Sequence, residues 1–202
     1  MRFLLRVLML AASMLVATPF AQATIVNYTA TLSGSNEAIP TGSLGTGLAL
    51  VTMDDLLNTM SINLTFSGLS GTTTASHIHC CTGAPSSGTA GVATIAPFFP
   101  GFPIGVTAGS YANTFDLTLA SSYNSSFVTA HGGTLASAEA FLLIGMSSGE
   151  AYFNIHTNQF PGGEIRGFLI PTQTQVPEPT SLLLIGIALA GLGLSRRKQG
   201  IG

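Results

Sequence analysis

Apolar and polar residues alternate with a period of two through much of this chain, a pattern that suits half-buried strands and not helices. The clearest run is Met60-Ser61-Ile62-Asn63-Leu64-Thr65-Phe66, with Met60, Ile62, Leu64 and Phe66 on one face. Ile25 to Leu32 and Gly47 to Met53 are β-branched or apolar stretches of strand length. Further strands are expected at Ala75 to Cys80, Thr114 to Leu119, Ala138 to Ile144, Glu150 to Thr157 and Gly163 to Ile170. Gly, Ser, Asn and Pro clusters separate them, as turns require. The expected fold is all-β, an antiparallel β-sandwich or Greek-key barrel. Two stretches depart from the pattern. Residues 82 to 113 are Gly-, Pro- and Thr-rich around Phe98-Phe99-Pro100-Gly101-Phe102-Pro103, and their aromatic content implies that they pack down. Residues 121 to 140 have room for one short helix.

The two ends have a different character. Arg2 and Arg6, an apolar run from Val7 to Ala17 and Ala21-Gln22-Ala23 make a secretory signal peptide over residues 1–23. At the other end, Val176-Pro177-Glu178-Pro179 leads into an apolar segment closed by Arg196-Arg197-Lys198. Pro179 to Ser195 offers 17 residues, just enough to span a bilayer. The basic cluster stays cytoplasmic under the positive-inside rule, which puts the middle of the chain outside the inner membrane. The expected organisation is therefore a globular domain over 24–171, a linker over 172–180, a transmembrane sorting helix over 181–195 and a basic tail over 196–202.

Pro177-Glu178-Pro179, the short apolar segment and Arg196-Arg197-Lys198 resemble the PEP-CTERM sorting signal of Gram-negative bacteria. The resemblance implies an exosortase partner that recognises the Pro-Glu-Pro and cleaves near it. The chain would be held in the inner membrane first, then released toward the cell surface or exopolysaccharide matrix.

Charge narrows the function classes. Between the two targeting segments Arg166 is the only cation, against Glu37, Asp54, Asp55, Asp116, Glu139, Glu150 and Glu164. The domain therefore stands at −6, where the whole chain stands at −2. Such a surface has no electrostatic footprint for a phosphate backbone, which excludes nucleic acid as a partner. The domain has no Gly-x-Ser-x-Gly elbow followed by suitable partners and no lysine for a phosphate loop, and its carboxylates are too few and scattered for a paired acid and base. A catalytic site is not expected; metal-dependent redox activity and a hydrolase are the enzymatic alternatives.

The histidines carry the chemistry that remains. His77-Ile78-His79 is a His-x-His pair on an expected strand, so both imidazoles leave the same face. His156 lies on another strand. If the two strands are neighbours, three nitrogens converge on a site that suits copper or zinc. Cys81 returns to the histidine side and is an additional candidate ligand. The adjacent pair Cys80-Cys81 is compatible with a vicinal disulfide, two thiols or a metal–thiolate pair. His131, before Gly132-Gly133, reads as a loop residue outside the site. Pro161-Gly162-Gly163 turns the His156 strand back into a hairpin. There Arg166 is expected to pair with a carboxylate, Glu164 two residues away or another such as Glu37.

Leu32 to Pro40, Phe66-Ser67-Gly68-Leu69-Ser70-Gly71, Ser76-His77-Ile78-His79, Ala151 to Thr157 and Phe160 to Gly167 together resemble the CHRD domain family over Tyr28 to Leu169. The resemblance implies a β-rich sandwich without a settled activity. The functional expectation is an exported envelope or matrix protein with a structural or binding role toward polysaccharide or other envelope proteins. The alternative is an extracytoplasmic copper- or zinc-binding protein using His77, His79 and His156.

Overall fold

A computed structural model describes residues 25–172. The expected signal peptide, sorting helix and basic tail lie outside them, as does all of the 172–180 linker except Thr172. Among the described residues no helix is long and apolar enough to cross a membrane.

Eight strands form one antiparallel sheet: β1 (Ile25–Ser33), β2 (Thr46–Asp54), β3 (Thr59–Ser67), β4 (Thr73–His79), β5 (Gly109–Asp116), β6 (Tyr152–Thr157), β7 (Ile165–Phe168) and β8 (Ile170–Thr172). Their spatial order is β4-β6-β7-β1-β2-β3-β5, with β8 also paired to β1. The all-β expectation holds. Of the expected β-sandwich or Greek-key barrel, the described residues form neither two stacked sheets nor a closed barrel; a single sheet curls into a half-barrel. Alternation fixes which face of a strand is apolar but not which edges pair, so both arrangements satisfy the same pattern.

β1, β2, β3 and β5 are long and in continuous register, from Ile25 opposite Asp54 to Phe66 opposite Gly109. Each sends its alternate apolar residues inward, among them Tyr28, Leu32, Val51, Met53, Met60, Ile62 and Leu64. Short polar residues face outward, and Ser61 and Thr114 share a cross-strand hydrogen bond of 2.8 Å. This half follows the usual one-sided burial of antiparallel sheets.

The half built from β4, β6 and β7 does not. All six residues of β6 are buried. One face, with Ile78, Phe153, Ile155 and Ile165, joins the apolar core. The other is polar and is roofed by connecting segments.

The long stretch after β4 packs down as its aromatics imply. Phe99 is fully buried. Its ring lies 5.2 Å from Phe115 on β5 and 5.7 Å from Phe153 on β6, so it fills the mouth between opposite ends of the sheet. Burying such a ring contributes roughly 1.5–3 kcal/mol.

Two helices pack on the core, α1 (Ser125–Ala130) and α2 (Leu135–Ser147). α2 replaces the strand expected at Ala138 to Ile144. Its buried residues Ala138, Leu142, Gly145 and Met146 recur at helical spacing. Thr134 and Ser137 form a reciprocal cap at its start. In a continuous apolar run such as Phe141 to Ile144, periodicity does not separate helix from strand, and here the cap decides.

Candidate metal centre

The site is built on the polar face of β4, β6 and β7. Antiparallel pairing sets His77 opposite Asn154 and His79 opposite Tyr152. Asn154 in turn stands opposite Arg166. His156, two residues along β6 from Asn154, shares its face. The adjacency on which convergence depends is therefore present, and one ring nitrogen from each of His77, His79 and His156 lies within 4.8 Å of the other two.

Each imidazole is oriented by a backbone carbonyl, two from the connection after β4 and one from the turn after β6. His77 Nδ1–H donates to the Pro97 carbonyl at 3.1 Å. His79 Nδ1–H donates to Ala90 at 2.8 Å and His156 Nδ1–H to Pro161 at 2.8 Å. A carbonyl only accepts, so the proton of each neutral ring sits on Nδ1 and each Nε2 carries a lone pair. Those three lone pairs converge. The Nε2 atoms of His77 and His156 stand 2.9 Å apart, and the buried Nε2 of His79 has no hydrogen-bond partner. A carbonyl that holds Nδ1–H and leaves Nε2 free is the outer-shell arrangement common to metal-binding histidines.

Electrostatics keep the rings neutral. Burial pushes His77 down to about 3, helped by the neighbouring His79 and His156. Burial likewise takes His79 down to about 4 and lowers His156. A proton shared between His77 and His156 is therefore disfavoured, and two acceptors are left facing each other at contact distance. A cation between them removes that conflict. Tetrahedral nitrogen ligands at about 2.0 Å from a metal stand roughly 3.3 Å apart, so side-chain adjustments of an ångström or so assemble a three-nitrogen site.

Cys81 is not part of it. Its sulfur is bonded to that of Cys80 across a cis peptide. The pair packs against α2, where a Cβ at Gly145 would meet both sulfurs. Alternation directs Cys81 to the histidine face only while the strand continues, and β4 ends at His79. His131 lies apart as expected, with its Nδ1–H donating to the Phe127 carbonyl at 2.8 Å and its ring against Phe141.

Of the two carboxylates expected as partners of Arg166, Glu164 does not pair with it and Glu37 lies beside it. Glu164 is held by Ser43 Oγ, Ser70 N, Gly71 N and Thr157 Oγ1. Burial raises its carboxyl, but these donors outweigh it and the net shift is downward. Arg166 is instead beside Glu37, with Nε 3.8 Å from Oε2. It also donates from Nε to the Asn36 carbonyl and from Nη1 to that of Gly88. Its guanidinium lies 4.7 Å from the Tyr152 ring centroid. Residues two apart on a strand share a face, but Glu164 precedes β7 and reaches into the turns at 43 and 70–71.

Sequence reasoning passed over Asn154, which alternation alone aligns with Tyr152 and His156. It had no means of finding Ala90, Pro97 and Pro161, which act through backbone carbonyls that every residue has.

A family model described as the CHRD domain matches residues 28–169. A second, described as a PEP-CTERM protein-sorting motif, matches residues 175–198. No match is found among curated proteins or among solved structures.

Proposed function

The chain belongs to the CHRD domain family, and on that premise we propose that it is an exported, exosortase-processed binding protein whose centre takes a copper or zinc ion. Export and processing are supported by the sorting motif. Its station is the inner membrane before processing, and the cell surface or extracellular matrix of a Gram-negative bacterium afterwards. Its role there is structural or binding, not catalytic.

The single observation that supports metal binding best is the convergence of three Nε2 lone pairs, each presented by an imidazole whose Nδ1–H is tied to a main-chain carbonyl. His77, His79 and His156 would supply three nitrogens, leaving a fourth position for water or a ligand, a set that suits copper or zinc. Elemental analysis of the purified, tag-free mature protein after reconstitution tests this. About one ion per chain is expected, and no retained copper or zinc after either reconstitution ends the reading. The envelope role is tested separately: deletion of the gene should change matrix or floc formation, and an unaltered matrix would count against it.

A further inference from the structure

Beside the histidines, a cleft of about 360 Å³ opens between the segment around Glu37, the start of β6 and the turn at Gln159–Gly163. Its charged and amide lining consists of Glu37, His79, Asn154, Gln159 and Arg166. Among the described residues five buried side-chain polar atoms lack a hydrogen-bond partner, and three of them belong to this lining: Glu37 Oε1, His79 Nε2 and Asn154 Oδ1. Buried polar groups are nearly always paired; His79 Nε2 is taken up by the metal centre, and Glu37 Oε1 and Asn154 Oδ1 ask for a partner in the cleft. Asn154, Arg166 and the Glu37 side chain are each more than nine-tenths buried. They are built parts of the fold, not surface decoration.

Glycine keeps the space open. A Cβ at position 163 would stand 2.7 Å from the Asn154 amide and from Glu37 Oε1, and Gly163 has a φ of 124° that other residues rarely adopt.

The chemistry of the lining selects the ligand. Arg166 has five N–H donors; one is held by the Asn36 carbonyl and one by Gly88. The Glu37 carboxylate is 3.8 Å away, beyond hydrogen-bond distance. The remaining edge of the guanidinium matches a carboxylate. Glu37 Oε1 and Asn154 Oδ1 accept, which matches hydroxyl donors. The volume is at the small end of ligand pockets.

We infer that this cleft is a binding site for a small hydroxycarboxylate of monosaccharide size, with Arg166 holding the carboxylate and Glu37 and Asn154 accepting from its hydroxyls. The site adjoins the metal centre, with His79 standing between the two, and does not need a metal.

Calorimetric titration of the mature protein with D-glucuronate, D-glucose and acetate tests it. The protein is first stripped with a chelator, so that the outcome is independent of the metal reading. Glucuronate should bind at least about tenfold more tightly than glucose or acetate, because only it satisfies both halves of the site. Arg166→Gln should abolish that binding. Glu37→Gln should tighten it several-fold at pH 8, where the Glu37 carboxylate is ionised and competes beside Arg166, and change it little at pH 5, where the carboxyl is already neutral, a split that a purely structural Glu37 would not produce. If Arg166→Gln does not fold by circular dichroism, the three-ligand series and Glu37→Gln decide. Equal affinity for the three probes, no binding of any, or glucuronate binding that appears only with metal restored overturns the inference.

Discussion

The Nε2 atoms of His77 and His156 face each other at 2.9 Å across two neighbouring strands, with each ring's proton committed to a carbonyl on its far side. The contact is repulsive for neutral rings, and burial disfavours the proton that would relieve it. A metal bound as proposed would remove that repulsion.

Loading copper or zinc should therefore stabilise the fold. A ligand at about 100 times its dissociation constant adds about 2.7 kcal/mol, or roughly 5–10 °C in a domain of this size. Differential scanning fluorimetry with and without chelator reads it. His77→Ala should remove the metal-dependent increment and leave the apo transition cooperative; an unchanged increment would place the ion elsewhere.

Glu164 ties the turns at Ser43 and Ser70–Gly71 to β6 through four donors. Glu164→Gln puts an amide N–H₂ where an acceptor is required and should cost about 2–4 kcal/mol in chemical denaturation. Because the folded carboxyl is lowered, its contribution is present above the ordinary glutamate range and is lost as pH falls through it. The acid limb of the wild-type stability profile should be steeper than that of Glu164→Gln.

Glu37 works in the opposite sense. Burial raises its carboxyl to about 7, against the lowering influence of Arg166 and the Ala38 N–H. The folded state then binds a proton more tightly than the unfolded chain. Stability from this group is complete below about 4.5 and declines as pH rises through about 7. Glu37→Gln should flatten the profile across that window. Parallel profiles for the two proteins would refute the shift.

Gly145 is the point where α2 meets the bonded Cys80–Cys81 pair. An alanine Cβ there would overlap both sulfurs. Gly145→Ala should destabilise by about 1–3 kcal/mol despite alanine's better helix propensity. A neutral or stabilising effect in thermal unfolding would show that the helix can move away.

Phe99→Ala should cost about 3–5 kcal/mol. The ring touches aromatics from both ends of the sheet, so its loss opens the half-barrel where no strand pairing closes it. A change below about 1 kcal/mol would mean that the 82–108 connection collapses into the cavity.

Local order was written in the sequence. Alternation in β3 assigned Met60, Ile62, Leu64 and Phe66 to the core, and the same rule put His77 and His79 on one face, because side-chain direction depends only on neighbouring residues. The sorting motif at the C-terminus was equally legible, being read from contiguous residues. Tertiary structure alone decided the rest: that one sheet curls instead of two stacking, that Arg166 lies beside Glu37 and not Glu164, that Cys81 bonds Cys80, and that carbonyls of Ala90, Pro97 and Pro161 aim the three imidazoles. These outcomes depend on which distant segments share space, and a period of two carries no information about that.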